Sequence, residues 1–301
     1  MKRWGPIVIK FGGELLENRE HVSDVAATIA RLSRRMQLVI VHGGGREIDS
    51  ALSRAGIEKR QVDGLRITDE PTLDVVVSVL AGLVNTRFVA ALGAAGVQAV
   101  GLTGADATIG RVTAAGLHRS ASGAVIDLGR VGEPAGKEKP ALLIDLCRKG
   151  YVPVVASIGA SRGGELFNVN ADTLAAHLAA RLRSRRLIIA GATAGVLDRE
   201  DSTIADISLR EIDRLVGSGD ATAGMVAKLV ACRRAVENGA EEVFIADGRD
   251  LAGLAVLAQH GRAAGAAKGT RISSTRGERG GHAKATPSRM SPQRTSSGQR
   301  P

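Results

Sequence analysis

"LVIVHGGGREID", Leu38 to Asp49, is the stretch on which the fold turns. Four apolar residues run into His42, then into Gly43, Gly44 and Gly45, then into a charged segment with helical character. A continuous apolar strand that passes at once into a helix is the joint of a parallel sheet covered on both faces. Glycine orders at a high entropic cost, so it is placed where backbone must turn sharply or approach something closely. One or two glycines make such a turn. Three in a row predict that something sits against the backbone.

The same alternation extends from Pro6 to Asp247. Strand-like runs are "IVIK", "LVIVH", "VQAVGL", "VPVVASIG", "RLIIAG" and "EVFIAD"; between them lie stretches with helical spacing at Val22–Arg35, Thr72–Ala95, Ala171–Leu182 and Met225–Asn238. Ser208 before "LREIDRLV" and Asp69 before "EPTLDVVV", with Pro71 near the start, read as helix N-termini. Between Gly104 and Pro140 the periodicity weakens into hairpins and turns. The expected fold is α/β: a three-layer sandwich with a mostly parallel central sheet, helices on both faces and a small β-hairpin insertion.

The chain has 301 residues, 44% hydrophobic and 24% charged, with only 2% aromatic, so its core must be built from Ala, Val, Leu and Ile. No run reads as the ~18 apolar residues of a membrane span, and the start lacks a signal peptide's apolar stretch; a cytoplasmic protein is expected. Cys147 and Cys232 form no motif and read as small buried hydrophobes. Half of the net charge of +10 comes from residues 273–301, where Arg276, Arg279, Lys284, Arg289, Arg294 and Arg300 face one acid, Glu278. That segment has little to bury and reads as a disordered basic tail. No aromatic residues are interleaved in it for stacking on bases, so nucleic acid is not the expected partner.

In parallel sheets ligands bind beyond the carboxyl ends of the strands. Here those ends are glycine-rich or polar: "KFGGE", "HGGGRE", "LTGAD", "SIGASRGG" and "AGATAG". Two glycine pairs opening consecutive helices suit an anion, because free N–H groups and the helix dipole meet there. Neither G-x-x-x-x-G-K-[ST] nor G-x-G-x-x-G is present. Lys10, at the end of the first strand, either snorkels to the sheet edge or serves as a phosphate ligand. "FNVNADT", Phe167 to Thr173, is an N-cap cluster or part of a site. Lys228 sits in the first turns of a helix, where the dipole disfavours a cation unless an anion is near. His42 reads as a hydrogen-bonded structural residue.

Together "VIKFGGELL", "VIVHGGGREID", "DGLRITD", "DLGRVGEP", "GYVPVVASIG", "NVNADTLAAHLA", "GMVAKL" and "IADGR" resemble the amino-acid kinase family, and most closely its acetylglutamate kinases, over about Ile7 to Ile272. The resemblance implies ATP-dependent phosphorylation of the side-chain carboxylate of N-acetyl-L-glutamate, in arginine biosynthesis. It implies an acyl-amino-acid-binding half at about 1–170 and a nucleotide-binding half at about 171–272. Lys10 and Lys228 would neutralise the transferring phosphoryl group and Asp172 would hold them. Gly12, Gly13, Gly43, Gly44 and Gly45 would give N–H groups to the anions. Arg66 would clamp the α-carboxylate with its planar fork, and Asn168 and Asn170 would belong to the substrate site. Gly195 and Met225 would lie beside the nucleotide. Magnesium would be held mainly by the nucleotide phosphates, with no protein metal site. A carboxylate nucleophile is ionised at neutral pH, so no general base is required.

Four positions depart from the family: Gly191 and Ala192 where a Thr/Ser-Asp pair is usual, Thr86 for lysine, and Ala107 for glycine. They leave open a kinase of another acyl-amino acid, such as N-succinylglutamate or an aminoadipate derivative, and a ligand-binding relative with weakened nucleotide binding. The resemblance ties arginine inhibition to an extra N-terminal helix, and only five residues precede "PIVIK". The expectation is therefore a homodimer, joined through the Val/Leu/Ala-rich helix around Thr72–Ala95 and insensitive to arginine.

Overall fold

The computed structural model describes residues 5–120, 122–198, 200–218, 222–261 and 269–274. Its eight-stranded central sheet contains β1 (Ile7–Phe11), β2 (Leu38–His42), β3 (Ala99–Thr103), β4 (Val152–Ala156), β5 (Arg186–Gly191), β6 (Asp206–Ser208), β7 (Glu242–Asp247) and β8 (Thr270–Ser273). The order across the sheet is β6-β8-β7-β5-β1-β2-β4-β3. All pairs are parallel except β7 with β8. The six anticipated strands are present. The two additions, β6 and β8, lie at one edge, where short strands carry less apolar signal.

Eight helices among the described residues flank the sheet: α1 (Arg19–Ser33), α2 (Gly45–Arg54), α3 (Glu70–Ala94), α4 (Ala141–Arg148), α5 (Ala171–Leu182), α6 (Leu209–Ser218), α7 (Ala223–Glu237) and α8 (Leu251–His260). The N-terminal signals act as expected. Asp69 accepts from Thr72 N at 3.0 Å. Ser208 and Glu211 form a reciprocal capping box, with Ser208 N donating to Glu211 Oε2 at 2.9 Å and Glu211 N to Ser208 Oγ at 3.3 Å. The insertion consists of two hairpins, Val112–Ala114 with Gly132–Pro134 and Leu117–Arg119 with Val125–Asp127.

The period-2 alternation of β1 sorts its side chains between two cores. Ile7, Ile9 and Phe11 pack with α1 and α8 residues such as Ile29 and Leu257. Val8 packs on the opposite face with Ala175 and Leu178 of α5 and Leu229 of α7. Lys10 has the parity of Val8, so it emerges beneath α5 and α7 rather than at a solvent edge. Both cysteines are free and buried, as expected of small hydrophobes, and burial raises both thiol pKa values, that of Cys147 to about 12.

α3 revises the reading that no run is long and apolar enough to span a membrane. Its 25 residues contain an 18-residue window with a mean hydropathy of 1.9, and it passes by length and composition. In the structure one face of it packs into the core. Leu73, Val76, Val79, Leu80, Val84, Phe88 and Leu92 are buried. The buried Asn85 carries two polar contacts: its Nδ2 donates to Val154 O at 2.9 Å and lies 3.0 Å from His42 Nε2. Its middle, Ser78–Val84, widens to a π-helical turn, a distortion often found beside functional sites.

Candidate active site

The loops after β1 and β2 meet backbone to backbone. A Cβ on Gly13 would lie 2.6 Å from Gly44 Cα and 2.9 Å from the N atoms of Gly44 and Gly45. A Cβ on Gly44 would lie 2.9 Å from Leu80 Cδ2 in the widened turn of α3. Gly45 has open space beside it and heads α2, whose first N–H groups lack intrahelical acceptors. Close approach of two loops thus accounts for Gly13 and Gly44, and the open side of Gly45 faces a pocket.

That pocket, about 290 Å³, is lined by Lys10, Gly13, Glu14, Gly43, Gly44, Gly45, Arg66, Asn168, Asn170, Asp172 and Lys228, among others. Three predicted residues lie elsewhere. Gly12 N continues the β1 ladder and donates to Ala190 O at 2.9 Å, so its N–H is not open to an anion. Gly195 is needed for packing: at φ +150 a Cβ there would lie 2.6 Å from Thr270 Oγ1. Met225 is half-buried against the α5/α7 core. Three larger hollows, about 540 Å³ around His177 and Arg234, about 700 Å³ around Arg111 and Ser161 and about 430 Å³ around Glu17 and Arg87, lack the buried charged cluster described next.

Asp172, at the start of α5, lies between two lysines. Lys10 Nζ is 2.8 Å from Oδ1, an ion-pair contact outside hydrogen-bonding angles, and Lys228 donates to Oδ2 at 3.0 Å. Lys10 and Asp172 are almost wholly buried. Burial pushes the Asp172 carboxyl up, but the two ammonium groups outweigh it and hold the pKa at about 2. Burial opposes the charge on Lys228, and Asp172 more than restores it, so its pKa is raised. Two ammonium groups therefore share one carboxylate in a site largely closed to water. Two ammonium groups beside a helix N-terminus suit a bound anion, with Glu14 the other carboxylate of the pocket.

Arg66 closes the opposite wall. It ends the hairpin Gln61–Val62/Leu65–Arg66, which turns through Asp63 and Gly64 at φ 47 and 78; the Asp-Gly pair is the favoured chemistry for such a turn. Its Nη1 is buried and has no partner. Asn168 Nδ2 donates to Thr68 Oγ1 at 3.2 Å, and Thr68 Oγ1 donates to Arg66 O at 2.9 Å, so Asn168 and Arg66 are tied together. Asn170 serves as the cap of α5, accepting from Asp172 N at 2.9 Å and Thr173 N at 3.1 Å. His42 is wholly buried, and burial lowers its pKa to about 4 despite its contact with Gly43 O. The ring is neutral at pH 7 and structural, as read from the sequence.

Glu14 was not singled out from the sequence. Its Oε1 accepts from Ala192 N at 3.1 Å, linking the first glycine loop to the loop after β5. Arg249 Nη2 donates to Ala192 O at 2.7 Å and bonds Asp247. Of the departures, Ala107 adopts φ 45, a left-handed conformation that glycine takes without cost. Thr86 is exposed on α3, and nothing in the structure explains it.

The model of the amino acid kinase family matches residues 5–247. Acetylglutamate kinase of Nitratidesulfovibrio vulgaris is 38% identical over 247 residues, covering 81% of this chain and 80% of its own length. That of Afipia carboxidovorans is 40% identical over 250 residues, covering 81% and 84%. Among solved structures, N-acetylglutamate synthase from Neisseria gonorrhoeae, complexed with coenzyme A and N-acetyl-glutamate, superimposes with a TM-score of 0.73 at 24% identity, covering 89% of this chain. This chain spans 59% of the synthase's length. Giardia carbamate kinase gives a TM-score of 0.63 at 16% identity, covering 90% and 99%. These two likenesses bear on the fold. The extent of the family match and the identity to the curated kinases lead to one conclusion: the chain belongs to the amino-acid kinase family.

Proposed function

We propose that this chain is an acetylglutamate kinase, transferring the γ-phosphoryl group of ATP to the side-chain carboxylate of N-acetyl-L-glutamate in arginine biosynthesis. The observation that carries the mechanism is the Lys10–Asp172–Lys228 cluster facing Arg66 across one pocket. Phosphoryl transfer needs alignment and neutralisation of spread negative charge more than covalent chemistry. Lys10 and Lys228 supply the charge, and Asp172 fixes their positions. Gly44 and Gly45 offer N–H groups where the accepting carboxylate meets the phosphoryl group. Arg66 takes the α-carboxylate and Asn168 the amide. The nucleophile is already a carboxylate, so no proton is removed, and the neutral, buried His42 is not called on.

The half up to about residue 170 thus holds the acyl-amino acid, and residues from about 171 to 272 hold the nucleotide, although one continuous sheet serves both. Among the described residues no group of three or more His, Cys, Asp or Glu forms a metal cage. Magnesium fits as an ion borne by the nucleotide, since a hard cation takes phosphate oxygens and one or two carboxylates. Glu14 is the pocket carboxylate not already bonded to lysines, and it would be the chain's contribution. The ion would neutralise phosphate charge. Partners in this reading are the two small-molecule substrates and a second copy of the chain, docked on the apolar side of α3, in the cytoplasm.

Assay of ADP release with N-acetylglutamate, N-succinylglutamate and an N-acyl-aminoadipate tests the substrate. N-acetylglutamate is expected to give the highest kcat/KM, and turnover only with another acyl-amino acid would overturn the assignment. Light scattering at several concentrations, with an assay in millimolar arginine, checks for an arginine-insensitive dimer.

A further inference from the structure

We propose that Asp49 is the positioning residue for Arg66, engaging one arm of its guanidinium so that a single arm remains to receive the substrate's carboxylate. This rests on the reading of Arg66 as the α-carboxylate ligand. Arg66 Nη2 pairs with Asp49 Oδ1 and also points at Gly45 O, 3.5 Å away. Nη1 is buried with no acceptor, a costly condition for a charged donor. The Arg66 side chain is only 8% exposed, and it lines the pocket. One arm is satisfied by the protein, and the other awaits a ligand.

Asp49 is itself held. Its Oδ2 accepts from Lys59 Nζ at 2.6 Å, so both carboxylate oxygens are engaged, one on each side. Asp49 follows Gly45 by four residues on α2 and shares its face. One turn of helix therefore presents the Gly45 N–H to the pocket and also clamps the arginine at its far end. The distance between the two anion-binding ends of the pocket is then set by a rigid element rather than by the hairpin. The two-armed fork anticipated from the sequence becomes a one-armed contact, and Asp49 with Lys59 fixes the plane of that arm.

The test compares Asp49→Asn, Lys59→Ala and Arg66→Lys by steady-state kinetics with N-acetylglutamate and ATP, with thermal melts as a fold control. Asp49→Asn is nearly isosteric. It is expected to raise KM for the acyl-amino acid about tenfold, with kcat and KM for ATP within about twofold of the parent. Lys59→Ala acts in the same direction but more weakly, because its ammonium is more exposed. Combining Asp49→Asn with Arg66→Lys is expected to cost less than the sum of the two, since both disturb one contact. If Arg66→Lys raises KM and Asp49→Asn leaves it unchanged, the positioning role is wrong and the substrate assignment stands. A lower KM in Asp49→Asn would show a carboxylate that competes with substrate, which also overturns the proposal. If Arg66→Lys itself leaves KM unchanged, the failure lies in the reading of Arg66.

Discussion

The Arg66 end of the pocket and the loop after β5 beside it are built from different materials. At the Arg66 end, charged and polar side chains from separate elements converge: Arg66 from a hairpin, Asp49 from α2 and, through Thr68, Asn168. In the loop after β5, joined to the pocket through Glu14, the stretch Gly191 to Gly195 offers no charged side chain, and charge is brought to it by Glu14 and Arg249 from other loops. Between the two lies the lysine–aspartate–lysine cluster. Side chains with fixed partners suit discrimination among similar small acids. Backbone and borrowed charge suit a ligand whose phosphates recur in many nucleotides. The difference teaches that mutations at the Arg66 end should act on the acceptor's KM, those at the β5 loop on nucleotide affinity, and those between them on kcat.

Replacing the central lysines should give the largest effect. Lys10→Ala or Lys228→Ala is expected to lower kcat by ~10²–10³, with both KM values changed far less. Stopped-flow or coupled assays on folded variants check it; near-normal turnover would remove that lysine from the mechanism. Arg66→Lys comes next. Lysine cannot reproduce the planar geometry of the arm left free, and KM for the acyl-amino acid should rise roughly tenfold or more, with ATP affinity intact. A rise confined to KM for ATP would break the contrast between the two.

Ala192→Asp sharpens the comparison from the other side. It places a carboxylate beside Glu14, whose Oε1 already holds the Ala192 N–H. Like charges at this range repel, so calorimetry should show ATP binding changed severalfold and N-acetylglutamate binding unchanged. Equal ATP affinities in the two proteins would mean that the loop after β5 contributes only its backbone. Ala107→Gly should have the smallest effect. Relief of the left-handed Ala107 outweighs the extra chain entropy of glycine, for a gain of about 0.5 kcal/mol in unfolding free energy. Chemical denaturation measures it, and a loss of stability would show that this backbone stores no strain.

Much of this was legible in the sequence where the signal was local. Alternating apolar strands and helical spacing placed six of the eight strands. The parity of β1 places Lys10 on the face of α5, against Asp172, which the sequence alone did not distinguish from snorkelling to the sheet edge. β6 and β8 lack a sequence signal because "DIS" and "TRIS" are short strands with little continuous apolar character. At the site, the roles of Glu14 and Thr68 come from distant partners, Glu14 and Ala192 being 178 residues apart and Asn168 and Thr68 100, while that of Asp49 depends on how the hairpin folds Arg66 back onto α2. Gly195, where a Cβ would meet Thr270, shows that a glycine demanded by a neighbouring chain segment looks the same in sequence as one demanded by a phosphate. The basic-tail reading falls on residues 275–301, which lie outside the described residues; Ser273 itself ends β8.

The central claim is that this pocket makes an acyl phosphate on the side chain of N-acetylglutamate, with Lys10 and Lys228 carrying the transfer. Trapping with hydroxylamine tests it most directly, because an acyl phosphate yields a hydroxamate that can be identified by mass. The account predicts stoichiometric N-acetylglutamyl γ-hydroxamate and ADP from the parent protein, and a yield lower by ~10²–10³ at matched times from Lys228→Ala. ADP formed without hydroxamate, or equal hydroxamate from both proteins, would contradict it.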